Sequence, residues 1–85
     1  MKFQINLTEK AERFLKKLDK TEQDRIKDKL YSLEEDPKLG KPLTGDLAGL
    51  WSLRIGKYKC LYIIKNNELL VIVLDIDHRK RVYDK

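Results

Sequence analysis

The chain has 85 residues, 41% hydrophobic and 39% charged, with 19 Lys/Arg against 14 Asp/Glu and a net charge of +5. That length fits one domain over residues 1–85, and the apolar fraction supports a thin core, which excludes a disordered chain. One cysteine, Cys60, excludes an internal disulfide, and one histidine, His78, excludes a nuclease built on two histidines and any Cys/His metal set.

The opening "MKFQINLTEK" has no apolar stretch of signal-peptide length. The longest apolar run, Leu69 to Leu74, is too short to cross a bilayer, so a cytoplasmic protein without membrane association is expected. The positive charge is uneven. Residues 1–50 carry 11 Lys/Arg against 10 Asp/Glu, whereas residues 51–85 carry 8 against 4. A local excess of this kind either attracts phosphates and acidic partners or keeps the surface solvated.

"KFQIN" alternates Phe3 and Ile5 with polar neighbours and predicts a short strand. Thr8 is a good N-cap, with Glu9 and Glu12 in the turn that a helix dipole favours for acids. Ala11, Phe14, Leu15 and Leu18 follow at helical spacing, and this helix is expected to end near Asp19. Thr21 is expected to start a second helix with Ile26, Leu30 and Leu33 as its buried stripe and Pro37 as its stop. The Lys and Glu residues of both helices read as a solvated face. The short link at Lys20 predicts an antiparallel helical hairpin.

"PKLGKPLTGDLAG" reads as a connecting loop, since its glycines match no phosphate-loop spacing. From Leu50 the period becomes two. Trp51, Leu53 and Ile55 take one face, Ser52 and Arg54 the other. Gly56-Lys57 suits a two-residue turn with Gly first, and Asn66-Asn67 suits a second. "YKCLYIIK" lies between them, and Cys60 within it reads as a small buried hydrophobe. "ELLVIVLDI" is apolar on both faces and is expected inside the sheet. The predicted fold is α+β: an N-terminal strand, a helical hairpin, then a three-stranded antiparallel meander covered by the helices.

Two-residue turns would pair Arg54 with Lys59, and Lys65 with Glu68, which brings Lys59 opposite Leu74. Cations directly opposite each other are mutually destabilising unless an anion joins them or they splay into water. Arg54, Lys59 and some of Arg79, Lys80 and Arg81 are therefore expected to converge on one sheet face, a site suited to a phosphodiester. In RNA cleavage, such cations would meet the charge that builds as the 2′-hydroxyl attacks phosphorus. His78 either serves as an acid or base or merely flanks the cluster. Tyr83 either donates a proton or stacks on a base, or it plugs the end of the sheet.

The pattern resembles the RelE-type toxins of bacterial and archaeal toxin–antitoxin pairs, within the RelE/ParE superfamily, over the whole chain. It runs from "LTEKAERFLKKLDK" through "KPLTGDLAGLWSLRIGKYKCLYII" to "LLVIVLDIDHRKRVY". The resemblance implies a microbial-ribonuclease-like sheet and a translation-inhibiting endoribonuclease that cuts mRNA in the ribosomal A site without metal or cofactor. It also implies a RelB-like antitoxin as partner, beside the ribosome and mRNA, and a higher-order toxin–antitoxin hetero-oligomer. By motif it makes Lys59, Arg79 and Tyr83 catalytic, and Arg54, Lys57, His78, Lys80 and Arg81 phosphate-binding. Two alternatives stand beside it: a ParE-like gyrase-binding toxin without nuclease activity, and a weakened member that mainly binds its antitoxin.

The sequence departs from the pattern in three places. Lys59 stands where the best-known members have Arg. The strand "LWSLR" has Ser52 and no Lys, where some active members carry lysines that transfer protons. Lys41, Lys57 or His78 would then have to take over that role. Tyr83 also follows Arg79 more closely than in the bacterial enzyme.

Overall fold

The computed structural model describes residues 2–78. Strand β1 (Gln4–Leu7) leads into helices α1 (Glu9–Lys16) and α2 (Lys20–Tyr31), followed by β2 (Lys41–Pro42), β3 (Trp51–Ile55), β4 (Tyr58–Lys65) and β5 (Leu70–His78). The five strands form one sheet in the order β1-β5-β4-β3-β2. The predicted meander is β3-β4-β5, antiparallel throughout, and β1 joins β5 in parallel. The expected α+β architecture therefore holds. The loop after α2 contributes the extra edge strand β2, two residues long.

Local chemistry explains the helix boundaries. The Thr8 hydroxyl accepts from the Ala11 N–H at 3.2 Å and caps α1. α1 stops at Lys16, short of the expected Asp19, because Asp19 is the N-cap of α2: its Oδ1 accepts from the Glu22 N–H at 2.9 Å. Asp is a stronger cap than Thr, so α2 begins at Lys20 and not at Thr21. α2 ends at Tyr31, and a 3-10 turn over Ser32–Glu34 carries Leu33 into the core before Pro37 is reached.

Ala11, Leu15, Ile26, Leu30 and Leu33 pack with Leu53, Ile55, Tyr58, Cys60, Tyr62, Val71, Val73 and Ile76. Burial of each large apolar side chain among these contributes about 1.5–3 kcal/mol. Phe14 meets Tyr58 edge-to-face at 5.8 Å between centroids, which ties α1 to the sheet.

Two strand registers decide what surrounds the predicted site. Gly56-Lys57 is a two-residue turn with positive φ only at Gly56 (59°), so Ile55 faces Tyr58 and Arg54 faces Lys59, as expected. The second connection differs from expectation. Asn66–Glu68 makes a 3-10 turn and Leu69 adopts a left-handed conformation at φ 50°, so Lys65 faces Leu70 and not Glu68. A bulge then shifts the ladder again. Tyr62 faces Val73 while Leu61 faces Asp75, which leaves Leu74 as the extra residue.

The bulge has a physical purpose that the strand's composition makes plain. Val71 and Val73 point into the core, and unbroken alternation would send Asp75 and Asp77 after them. One extra residue reverses the phase, so Ile76 is buried while Asp75 and Asp77 stay out of the core, Asp75 lying 3.5 Å from the Lys10 ammonium of α1. The Thr8 hydroxyl donates to the Leu74 carbonyl at 2.9 Å, satisfying a polar group at the bulge. The longer turn and the bulge together make Lys59 face Asp77, not Leu74, and His78 face Tyr58.

Candidate anion-binding cleft at the edge of the sheet

β2 pairs with β3 only through Lys41–Ser52 and Pro42–Trp51. The edge of β3 from Leu53 onward therefore has no strand neighbour on that side among the described residues. A cleft of about 300 Å³ opens there, at the small end of ligand-pocket sizes. It is lined by Lys29, Lys41, Arg54 and Lys59, together with Leu39, Gly40, Ser52 and Leu53.

The ladder explains why these cations meet. Lys41 faces Ser52, and Arg54, two residues further along β3, faces Lys59. Residues directly opposite, or two apart on one strand, share a face. Lys41, Ser52, Arg54 and Lys59 thus lie on the face away from the buried row of Leu53 and Ile55. Lys29 reaches the same cleft from α2, around the open strand edge. Among the described residues, Lys29, Lys41 and Arg54 form no ion pair.

Among the described residues, four cations and no carboxylate line this cleft. The neighbouring hollow between α2 and the Gly56 turn shares Lys29 and Arg54 but adds Asp24 and Asp28. Hollows against α1 contain Glu12 in one case, Asp75 and Asp77 in the other. A polyanion gains most where cations are concentrated, and the edge of β3 brings Lys29, Lys41, Arg54 and Lys59 together.

One wall of the cleft is held by a buried tyrosine. The Tyr62 hydroxyl donates to the Pro37 carbonyl at 2.7 Å and accepts from the Gly40 N–H at 3.1 Å. The loop is drawn so close that a Cβ at Gly40 would overlap the Ser52 carbonyl oxygen. Lys41 is the next residue, so this clamp sets its place beside Ser52. Burial raises the Tyr62 hydroxyl above its ordinary pKa, which keeps it a neutral donor.

The predicted site residues divide between the two faces of the sheet. Arg54 and Lys59 come together in the cleft. Lys57 and His78 do not join them. The Lys57 ammonium lies 5.8 Å from the Tyr58 ring centroid, and the His78 ring packs on Tyr58 at 5.2 Å and near Phe14 at 6.0 Å. Tyr58 belongs to the buried, helix-covered row, so this aromatic group stands across the sheet from Lys59. Asp77, opposite Lys59, sets a negative boundary on the β5 side. Arg79, Lys80, Arg81 and Tyr83 lie outside the described residues. Cys60 is buried, and desolvation, with Asp75 adding to it, pushes its thiol up to about 12, so it is no nucleophile at neutral pH.

Lys29 was hidden among the solvated charges of α2, whereas Lys41, in the connecting loop, was named only as a stand-in for the absent proton-transfer lysine. Lys29 nevertheless carried a signal: residues 26, 29, 30 and 33 follow one helical face, so Lys29 sits within the buried stripe of Ile26, Leu30 and Leu33.

With this geometry established, comparison with known proteins is direct. Residues 5–83 match the family described as "ParE toxin of type II toxin-antitoxin system, parDE". Toxin RelG of Mycobacterium tuberculosis (strain ATCC 25618 / H37Rv) is 42% identical over 52 residues, a match spanning 60% of this chain and 60% of that relative. The toxin–antitoxin complex RelBE2 from Mycobacterium tuberculosis superposes with a TM-score of 0.85 and 33% identity, over 93% of each chain. The archaeal RelE–RelB complex from Pyrococcus horikoshii OT3 gives a TM-score of 0.77 at 23% identity, over 95% of this chain and 99% of the other. The isolated E. coli RelE toxin gives 0.75 at 21%, over 98% and 92%, and at these lower identities the likeness is one of fold. The chain belongs to the RelE/ParE superfamily of type II toxin–antitoxin toxins.

Proposed function

We propose that this toxin is a metal-independent, ribosome-dependent endoribonuclease that cuts mRNA in the ribosomal A site. The observation that carries the reading is the cleft at the β3 edge, where Arg54 and Lys59 face each other and no lining residue among those described is acidic. Facing cations cost stability in a folded chain, and an anionic ligand between them offsets that cost. In the reaction the 2′-oxygen bonds to phosphorus, the P–O5′ bond breaks, and a cyclic phosphate and a 5′-hydroxyl result. One proton leaves the 2′-hydroxyl and one is delivered to O5′. Arg54 and Lys59 hold the phosphate oxygens as charge builds on them, an effect worth about 2–4 kcal/mol for a single donor. Arg79 and Tyr83 complete this proposal as catalytic groups, with Lys80 and Arg81 as further phosphate contacts. His78 and Lys57, on the other face, serve at most to flank the path of the RNA.

The partner set follows from the relatives. RelE toxins crystallise with RelB antitoxins, and a RelB-like antitoxin in a hetero-oligomeric complex is the proposed partner here, with ribosome and mRNA as targets in the cytoplasm. No helix among the described residues is long and apolar enough to cross a membrane.

A second reading is favoured by the matching family description itself, which is that of a ParE toxin. Such a toxin would bind gyrase and cleave nothing. Induction without antitoxin separates the two: protein synthesis stops first for a ribonuclease, DNA synthesis for a gyrase poison. DNA synthesis halting first, with messages intact, would overturn the ribonuclease assignment.

A further inference from the structure

Resting on the ribonuclease reading, we propose that Lys29 and Lys41 form a second phosphate contact, holding a nucleotide next to the scissile one as the RNA crosses the open edge of β3. The argument is one of placement. A phosphodiester seated between Arg54 and Lys59 continues into a neighbouring nucleotide on each side. Toward β5 the strand meets Asp77, which faces Lys59 and repels phosphate. Toward β3 the sheet ends after one row, and the exit is flanked by Lys41 on the loop side and Lys29 on the helix side. The preferred path therefore leaves over the β3 edge between two exposed ammonium groups.

Both lysines are held where the path needs them. Lys41 follows the loop clamped by the Tyr62 hydroxyl and is paired to Ser52. Lys29 stands one turn from Ile26 and beside Leu30, both buried, so its stem starts from a rigid helix face. Lysine suits this role. A flanking phosphate needs a point charge and a tolerant reach, not the bidentate grip that suits a reacting phosphate.

The test uses the full-length toxin and a labelled single-stranded oligoribonucleotide whose 2′-O-methyl groups block cleavage. Binding is measured from 50 to 200 mM salt, and the slope of log K against log salt counts phosphates neutralised, at about 0.7 for each on a single strand. Lys29→Ala and Lys41→Ala should each lower the slope by about 0.7, and the double variant by about 1.4. Lys16→Ala, on α1 away from the cleft, should leave it unchanged. Both cleft lysines are exposed, so the variants should fold, and thermal melts verify this. A double variant with the wild-type slope, when Arg54→Ala lowers it, overturns this inference and leaves the ribonuclease site standing. A slope indifferent to Arg54 as well removes the reading on which it rests. A glutamate decamer that depends on Lys29 and Lys41 while the RNA slope does not would make the ligand a protein carboxylate, and would equally overturn the proposal.

Discussion

Arg54 on β3 and Lys59 on β4 are direct partners in the antiparallel ladder, and Asp77 on β5 stands on the far side of Lys59. The row across three strands thus reads cation, cation, anion. An arrangement selected for stability alone would alternate the signs. Replacing Arg54 by Thr removes the like-charge contact and introduces a good strand former, which should raise stability by about 0.2–1 kcal/mol. The same change should weaken RNA binding. Urea unfolding and RNA titration of Arg54→Thr check the two together, and a variant that loses both stability and binding would show that Arg54 is structural.

Thr8 joins the first helix to the β5 bulge. Its hydroxyl accepts from Ala11 and donates to Leu74, so Thr8→Val deletes a helix cap and leaves a carbonyl at the bulge without its partner. The combined loss should be about 1–3 kcal/mol in urea unfolding. Thr8→Ser, which keeps the hydroxyl, should recover most of it.

Much of this architecture was legible before any coordinates, and the rest was not, for identifiable reasons. Gly56 announced its turn because only the first position there requires positive φ, which glycine adopts freely. Leu69 gave no such signal. A leucine at φ 50° is uncommon, so the Asn66-Asn67 pair looked like the whole turn when the connection extends to Leu69. The bulge could have been read from spacing. Val73 and Ile76 are both buried but lie three apart, an odd step that period-two alternation cannot produce, and the acids at 75 and 77 confirm the new phase. The longer turn and the bulge together displaced Lys59 by three residues along β5, two from the turn and one from the bulge, and placed His78 on Tyr58. The Arg54–Lys59 pair survived because it depends on the Gly56 turn alone.

Cys60 gives a prediction with a defined pH window. Its thiol ionises near 9 when unfolded and near 12 when folded, so between these values the native state holds more protons than the unfolded state. Stability from this group is complete below pH 9 and declines as pH rises through the window, by up to about 1.4 kcal/mol per pH unit. Unfolding of the parent and Cys60→Ala at pH 8 and pH 11 should show the parent losing more. The native thiol should also resist thiol-modifying reagents at pH 8 and react only on unfolding.

The most direct test of the central claim is to map mRNA cut sites in a translating extract to which the toxin, Arg54→Ala or Lys59→Ala has been added. The parent should cut within codons held in the A site, and each variant should cut slower by roughly 30-fold to 1,000-fold, as removal of a transition-state contact worth about 2–4 kcal/mol requires. Translation arrest with uncut messages, or cutting by both variants at the parent's rate, would contradict it.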